Sequence, residues 1–321
     1  MLELESDVIA IDALAEASKK LETEIAKVIV GQNEVVKSII ISIFSNGHSL
    51  LVGVPGLGKT LLVNTISEAL GLNFNRIQFT PDLMPSDIVG SEILGEDRSF
   101  KFVKGPVFTN VLLADEINRT PPKTQAALLE AMQEKKVTIA GKTLPLPKPF
   151  FVLATQNPID QEGTYPLPEA QLDRFMFNIW VDYPSLAEEV QVVKSTTSDV
   201  VNNVNPVLSV EEITSFQELI RRIPVADNVL EYAVKLAVKT RRESELAPEI
   251  TKDYLTWGAG PRASQYLVLG AKTHAALKGK YSPDIEDVQA VALPILRHRV
   301  MRNYKAEADG VSLEEIIKSL L

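Results

Sequence analysis

Residues 53–60 read Gly53-Val54-Pro55-Gly56-Leu57-Gly58-Lys59-Thr60. Two glycines five positions apart, followed by lysine and threonine, form the pattern of a phosphate-binding loop. The short apolar run Ser49–Val52 precedes the loop, and a helical pattern follows it from Thr60 to Leu70. A strand, a glycine-rich turn and a helix in this order are the setting in which such a loop binds phosphate.

Each residue type in this loop has a chemical reason. Glycines let successive backbone N–H groups turn inward around a β-phosphate, Lys59 reaches the β- and γ-phosphate oxygens, and the Thr60 hydroxyl is a ligand for Mg²⁺. The sequence therefore predicts a nucleoside triphosphate site. The predicted nucleotide contacts are Gly53, Val54, Pro55, Gly56, Leu57, Gly58, Lys59, Thr60 and Leu61. The alternative is a glycine-rich turn without a ligand.

Two acids follow the buried run Val111–Ala114 and form a second candidate site. Asp115 and Glu116 come directly after this run, so they lie at the carboxyl edge of the predicted sheet, beside the phosphate-binding loop. Asp115 would hold Mg²⁺ through its waters, and Glu116 would orient and polarise the attacking water. The simpler alternative is that both acids only begin the loop before the Pro121-Pro122 helix.

Apolar runs elsewhere in the chain predict a parallel, doubly wound sheet. The further strand candidates are residues 77–79, 111–114, 150–155 and 176–181. Two inserted hairpins are predicted over 92–103 and 137–146. After about residue 200 the strand patterns stop, and helices follow near 209–221, 226–242, 262–278 and 284–299. The chain is therefore expected to hold an α/β nucleotide-binding core (1–200) and a small helical domain (206–321), joined by a linker at 202–206.

Composition excludes several classes of site. The 321-residue chain has no cysteine, which excludes disulfides, thiolate metal sites and cysteine nucleophiles. Its three histidines, His48, His274 and His298, are too far apart in sequence for a local metal-ligand pair, so we expect each to be structural. No apolar stretch approaches the ~20 residues that a membrane span needs, and the acidic start is unlike a signal peptide. We expect a cytoplasmic protein.

The net charge of −9 is confined to the first part of the chain. Residues 1–190 hold 16 basic and 25 acidic residues, and residues 191–321 hold 17 of each. This balance argues against nucleic acid as the main ligand. Residues 101–150 differ, with eight basic and four acidic residues. If the hairpins face a pore, they could grip an acidic client segment; solvated hairpin surfaces are the simpler interpretation.

Four motifs together resemble the MoxR family of AAA+ ATPases. The motifs are residues 53–60, Asp115-Glu116-Ile117-Asn118-Arg119, Ala154-Thr155-Gln156-Asn157-Pro158 and Leu167-Pro168-Glu169-Ala170-Gln171-Leu172-Asp173-Arg174-Phe175. The resemblance runs in the family's order from Ile29 to Ala263. It implies an αβα AAA+ core with a parallel sheet, an all-helical lid domain, and a homo-oligomeric ring, usually hexameric, with ATP between neighbouring subunits. It also makes the hairpins a helix-2 insert and a pre-sensor-1 hairpin near the pore.

The resemblance also assigns roles to three further residues. Asn157 would be sensor 1, which holds the attacking water or the γ-phosphate; the alternative is a plain Asn-Pro turn. Arg174 would be an arginine finger that reaches into the neighbouring site, and the alternative is an ion pair with Asp173. Arg262, at the start of a lid helix, would be sensor 2, acting in its own site or a neighbour's.

The resemblance implies an ATP-hydrolysing, chaperone-like motor that remodels or matures a client protein complex. A separate partner with a von Willebrand factor A domain is expected. Three alternatives are a GTPase switch, a ring-shaped DNA translocase and a nucleotide-gated scaffold. The chain lacks the Asn-Lys-x-Asp motif that reads guanine, and its net charge opposes DNA binding. The complete set of catalytic residue types argues against a scaffold without turnover.

Overall fold

The computed structural model describes residues 2–94, 98–139, 141–159, 163–198 and 203–321, with side chains from residue 6 onward. In chain order, the strands are β1 (Ser49–Val52), β2 (Phe74–Gln78), β3 (Gly90–Leu94), β4 (Phe100–Lys104), β5 (Val111–Asp115), β6 (Lys136–Ile139), β7 (Lys142–Pro145), β8 (Phe151–Gln156), β9 (Phe177–Trp180), β10 (Leu255–Trp257) and β11 (Met301–Arg302). The helices are α1 (Leu2–Ile25), α2 (Asn33–Phe44), α3 (Lys59–Ala69), α4 (Pro85–Val89), α5 (Pro122–Glu134), α6 (Glu169–Leu172), α7 (Leu186–Thr196), α8 (Val210–Arg222), α9 (Asp227–Lys239), α10 (Glu249–Tyr254), α11 (Pro261–Leu277), α12 (Ile285–Leu296), α13 (Tyr304–Ala308) and α14 (Leu313–Leu320).

The core is built on a parallel sheet with the strand order β2-β5-β8-β1-β9. Every neighbouring pair in this sheet is parallel. The carboxyl ends of all five strands therefore meet at one edge, which is where ligands bind in open α/β sheets. The predicted parallel sheet is confirmed, although β2 begins three residues before the predicted run 77–79.

Helices cover both faces of the sheet. Leu113 and Leu153 point to one face, where they join the apolar cluster that includes α2, α3 and the lid helices. Their neighbours Leu112 and Val152 point to the other face and pack in a second cluster with Leu128 of α5. Because these strands are buried on both faces, they read as continuous apolar runs in the sequence. The result is the predicted three-layer αβα core.

Both predicted insertions are antiparallel hairpins. β3 pairs with β4, and β6 pairs with β7. Residues 95–97 of the first turn and residue 140 of the second lie outside the described residues. The first hairpin exposes large apolar side chains, with Phe100 68% exposed and Leu94 63% exposed. The position of these hairpins near a pore stays a prediction.

The C-terminal part of the chain is a lid of helices. α11 packs against α9 and α12, and α8, α9, α11 and α12 correspond to the helices predicted from periodicity. The lid is not wholly helical, because β10 and β11 form a short antiparallel ribbon. Strands of three and two residues are too short to show alternation in a sequence, which explains why this ribbon was not predicted. Asn202, the first residue of the predicted linker, lies outside the described residues.

The first helix connects the two parts. α1 packs against α3 of the core and against α8 and α11 of the lid. The Arg222 guanidinium of the lid donates to the Asp7 carboxylate of α1 at 2.8 Å. Within the described ranges, every helix is either too short or too polar to cross a bilayer.

Candidate nucleotide site

The phosphate-binding loop leaves β1 and enters α3. Gly56 and Gly58 adopt left-handed conformations, with φ of +87° and +71°, and a Cβ on either would meet no atom within 4 Å. The glycines are therefore required by backbone conformation, and the space beside them is open. Gly53 has a different role, because its Cβ would lie 2.7 Å from the Val181 carbonyl oxygen. Close approach of β1 to the end of β9 requires glycine there.

Lys59 lies inside the curl of this loop. Its ammonium group donates to the carbonyl oxygens of Gly53 at 2.6 Å and Val54 at 2.8 Å. Burial lowers the pKa of Lys59, and the nearby carboxylates of Asp115 and Glu116 oppose that change. A half-buried cation is thus held at the carboxyl edge of the sheet, opposite two acids.

One threonine fixes both acids. The buried Thr155 hydroxyl donates to Asp115 Oδ1 at 2.5 Å and accepts the Glu116 backbone N–H at 2.8 Å. The Arg76 guanidinium holds the other Asp115 oxygen, Oδ2, through Nη2 at 2.6 Å and Nε at 3.1 Å. Both carboxylate oxygens of Asp115 therefore have donors from neighbouring strands.

Glu116 is the first residue beyond β5 and takes a left-handed conformation with φ of +56°. This conformation is uncommon for a residue with a side chain and indicates local strain. Its Oε2 accepts hydrogen bonds from Gln78 Nε2 at 2.9 Å and Arg119 Nη1 at 3.1 Å. The bend and the two donors aim the Glu116 carboxylate along the sheet edge, beside Asp115.

A cleft of about 400 Å³ brings the loop and the acids together. It is lined by Pro55, Gly56, Leu57, Gly58, Lys59, Thr60, Arg76, Gln78, Asp115, Glu116, Thr155 and Asn157. Asn157 is buried, and its Oδ1 accepts the Ile159 N–H at 3.1 Å, which closes a turn after β8. The same residue lines the cleft. Cations, carboxylates and oxygen donors thus converge on one cleft, as phosphoryl transfer requires.

An apolar pocket of about 170 Å³ lies on the other side of the loop. Its lining includes Ile29, Gln32, Leu61, Leu62 and Val192. Leu61 therefore contributes to this pocket and not to the phosphate cleft. The buried Gln32 Oε1 has no hydrogen-bond partner among the described residues. An apolar slot with one buried acceptor suits a planar base that carries an amino group.

Comparison with known proteins agrees with this geometry. One family model, "ATPase family associated with various cellular activities (AAA)", matches residues 48–177, and an AAA lid domain model matches residues 247–320. The chain is 43% identical over 304 residues to the protein named Chaperone MoxR1 of Mycobacterium tuberculosis, which covers 93% of this chain and 79% of that protein. It is 32% identical over 301 residues to the protein named MoxR of Methylorubrum extorquens, covering 89% and 88%. The chain belongs to the MoxR family of AAA+ ATPases.

Two further proteins are similar to this MoxR-family chain over nearly its whole length. YeaC of Bacillus subtilis is 40% identical over 304 residues, which cover 94% of this chain and 92% of YeaC. The crystal structure of a candidate ATPase from Cytophaga hutchinsonii has a TM-score of 0.92 and 42% identity, and covers 100% of this chain and 98% of that one. The AAA+ core and its lid are therefore a shared architecture.

The two predicted arginines of this MoxR-family chain lie away from the cleft. Met176 donates its backbone N–H to the His48 carbonyl, so Arg174 precedes the amino end of β9, at the sheet edge opposite the phosphate-binding loop. Arg262 donates to Asp173 Oδ2 at 3.1 Å, one residue from Arg174. Neither arginine lines the phosphate cleft.

The alternative role of Arg174, an ion pair with Asp173, finds no support. Asp173 pairs with Arg262 at 3.1 Å and Arg299 at 2.8 Å. The Arg174 side chain makes no hydrogen bond or ion pair with any residue in the described ranges, and the residue as a whole is half-buried. The positive charge of Arg174 is therefore not neutralised by an ion pair with any described residue of its own subunit.

Four residues of these sites were not predicted from the sequence: Thr155, Arg76, Gln78 and Arg299. The sequence did contain a pattern that points to Arg76 and Gln78. They are polar residues two positions apart at the end of a strand, so their side chains lie on the same face. Gln78 is in register with Asp115, which brings this face against the acids. Thr155 sits within the Ala154–Pro158 motif, but nothing in the sequence shows that its hydroxyl joins both acids of β5.

Proposed function

We propose that this MoxR-family protein is a ring-forming motor that hydrolyses MgATP, with each active site completed by Arg174 of a neighbouring subunit. One observation carries the proposal. The cleft gathers Lys59, Asp115, Glu116 and Asn157, whereas Arg174 lies at the opposite sheet edge with no partner in the described part of its own subunit.

The apolar pocket supports adenine as the base. The buried Gln32 Oε1 is an acceptor, so it can pair with the exocyclic amino group of adenine. Guanine presents a carbonyl oxygen at the same ring position, and Gln32 could donate to it only by turning its amide over, which would lose the Nε2 contact to the Asp182 carbonyl. Together with the missing guanine motif, this favours ATP over GTP.

The residues of the cleft fit Mg²⁺. Thr60 and Asp115 offer a hydroxyl and a carboxylate, the hard oxygen donors that this ion prefers. When bound, Mg²⁺ would neutralise charge on the β- and γ-phosphates. Lys59 would release its loop carbonyls to meet the same phosphates, and Arg76 and Thr155 would keep the Asp115 carboxylate in place.

Glu116 and Asn157 would handle the attacking water. Glu116 can accept the proton as the water attacks, and its position is fixed by the Thr155 bond and by the Gln78 donor. Asn157 would orient the water or the γ-phosphate from the end of β8. The γ-phosphate in the transition state would still lack a cation on the side away from the loop, and Arg174 of the neighbour would supply it.

Arg262 is assigned to the neighbour's site as well. Its guanidinium bonds to Asp173, beside Arg174, and it does not line the cleft of its own subunit. Arg174 and Arg262 would therefore project from one face of their subunit toward the nucleotide bound by the adjacent subunit.

Mixing two inactive variants tests this arrangement. Lys59→Ala removes the phosphate-binding cation but keeps Arg174, and Arg174→Ala removes the finger but keeps the cleft. Each alone is expected to lose on the order of 10³-fold or more in turnover. In an equimolar random mixture, about a quarter of the head-to-tail interfaces join an intact cleft to an intact finger, so activity should reach about a quarter of wild type. An inactive mixture, with mixed rings demonstrated by co-purification of an untagged variant with a tagged one, would refute the shared site.

The work done by the motor is proposed from its relatives. The relative named Chaperone MoxR1 supports a chaperone-like role, in which ATP-driven closure and opening of subunit interfaces remodels a client protein complex. A hexameric ring, a cytoplasmic location and a separate partner with a von Willebrand factor A domain stay predictions. Affinity capture with a Glu116→Gln variant, compared with Lys59→Ala as the control, would identify a client held in the ATP state.

A further inference from the structure

The end of lid helix α12 meets the segment that carries Arg174. Arg299, three residues beyond α12, has a side chain that is 1% exposed. Its Nε donates to Asp173 Oδ1 at 2.8 Å, and Nη2 donates to the Asp173 carbonyl at 2.9 Å. The same guanidinium also donates to the carbonyls of Phe175 at 2.5 Å and Met176 at 3.1 Å. These contacts lie on both sides of residue 174.

The geometry of arginine makes this contact rigid. A guanidinium is planar and presents its N–H groups in a fixed fork, so several acceptors held at once fix their mutual positions. Here the acceptors are one carboxylate and three backbone carbonyls of residues 173–176. A lysine has a point charge on a flexible stem and cannot reproduce this arrangement.

The lid surrounds Arg299 with supporting groups. Its guanidinium lies over the Tyr266 ring at 5.1 Å, and it donates to the Ile295 carbonyl at 2.5 Å. His298 Nε2 donates to the Phe175 carbonyl at 3.0 Å. Since a buried cation is costly unless it is fully hydrogen-bonded, these contacts tie the Arg174 segment to α11 and α12 of the same subunit.

We propose that Arg299 is a positioning residue that sets the Arg174 finger by clamping the backbone on either side of it to the lid. The orientation of the lid in one subunit thereby governs the catalytic site of its neighbour. This inference rests on the proposed function of Arg174 in the adjacent site.

Complementation distinguishes this role from a structural one. Arg299→Lys should bind MgATP as the wild type does, because its own cleft is intact, and should lose about 10²-fold in turnover through displacement of the finger. Mixed with Lys59→Ala, it should regain activity, because the Lys59→Ala subunit supplies an intact finger. Mixed with Arg174→Ala, it should stay inactive, because both variants lack a working finger.

Arg297→Lys is the matched control. Arg297 also joins the lid to β9, through the Asn178 carbonyl and the Trp180 ring, but it contacts β9 beyond residue 174. Its substitution should leave turnover close to wild type. If Arg297→Lys loses as much activity as Arg299→Lys, general loosening of the lid explains both results and the proposal is wrong.

The mixtures also separate this inference from the proposed function. Recovery of Arg174→Ala with Lys59→Ala, but not of Arg299→Lys with Lys59→Ala, would refute the role of Arg299 and leave the shared site standing. Failure of both mixtures would refute the shared site itself. If Arg299→Lys does not assemble, Arg299→Gln takes its place, because it keeps an N–H donor at this position without a buried charge and leaves the Arg262–Asp173 pair in place. This variant must then recover with Lys59→Ala and not with Arg174→Ala, and any other pattern overturns the proposal.

Discussion

Thr155→Val is the sharpest perturbation of the site, because it removes one hydroxyl and keeps the shape of the side chain. Two groups lose their partners: the Asp115 Oδ1 atom and the Glu116 backbone N–H. Thr155 is 1% exposed, so water cannot readily replace the hydroxyl. Each unsatisfied buried group costs about 1–3 kcal/mol, and a charged one costs more. We therefore expect a loss of about 2–5 kcal/mol in the free energy of unfolding.

Thr155→Ser is the matched control. Serine keeps the hydroxyl and deletes one buried methyl group, which costs about 1 kcal/mol. The valine variant should therefore be less stable than the serine variant by about 2 kcal/mol, although valine is the more apolar residue. Urea denaturation of the two variants, at equal m-values, measures the difference.

The same pair of variants tests catalysis. Because Thr155 anchors the backbone of Glu116, the valine variant should lose turnover more than MgATP affinity, and the serine variant should lose little of either. A valine variant as stable and as active as the serine variant would show that the hydroxyl does not hold the two acids. The arrangement of the cleft would then depend on Arg76 and Gln78 alone.

Two further predictions concern Glu116 and His48. Glu116→Gln should bind ATP near wild-type affinity yet lose at least about 10²-fold in turnover, because an amide cannot polarise water; ATP titration beside a phosphate-release assay measures both, and unchanged turnover would assign the water to another residue. His48 accepts the Val152 N–H on Nδ1 and donates from Nε2 to the Met132 carbonyl, and burial lowers its pKa to about 4 from 6.5. Because the unfolded chain then binds a proton that the folded chain does not, stability should fall by up to about 3 kcal/mol as the pH drops from 6.5 to 4. In a His48→Gln variant, the free energy of unfolding measured by urea denaturation should depend less on pH between 6.5 and 4. An unchanged pH dependence would show that the proton is taken up by another group.

Local patterns explain what the sequence could predict. The strand β1, the loop and helix α3 are consecutive, so glycine spacing and periodicity describe them completely. Buried strands show continuous apolar runs, and polar residues directly after them fall at the carboxyl edge of a parallel sheet. Lys59, Asp115, Glu116 and Asn157 could be brought to one edge by this reasoning alone.

The interactions that fix those residues could not be predicted, because they depend on strand order and register. Thr155 reaches Asp115 across 40 residues of sequence, and Arg76 reaches it across 39. β5 lies between β2 and β8, and no local pattern states that order. The ion pair alternative for Arg174 failed for a related reason. Asp173 is its sequence neighbour, yet Asp173 bonds to arginines 89 and 126 residues away.

Sheet topology places Arg174 away from the cleft of its own subunit. Lys59 follows the carboxyl end of β1, and Arg174 precedes the amino end of the adjacent parallel strand β9. A strand of four residues spans about 13 Å, so the two residues stand at opposite edges of a packed sheet. Lid movement would not bring them together, because both residues belong to the core and the Met176 N–H bond to the His48 carbonyl holds the Arg174 segment at the amino end of β9. Within the proposed function, the need for a second subunit therefore follows from strand direction. The lid of one subunit would then affect hydrolysis in its neighbour by positioning Arg174 through Arg299.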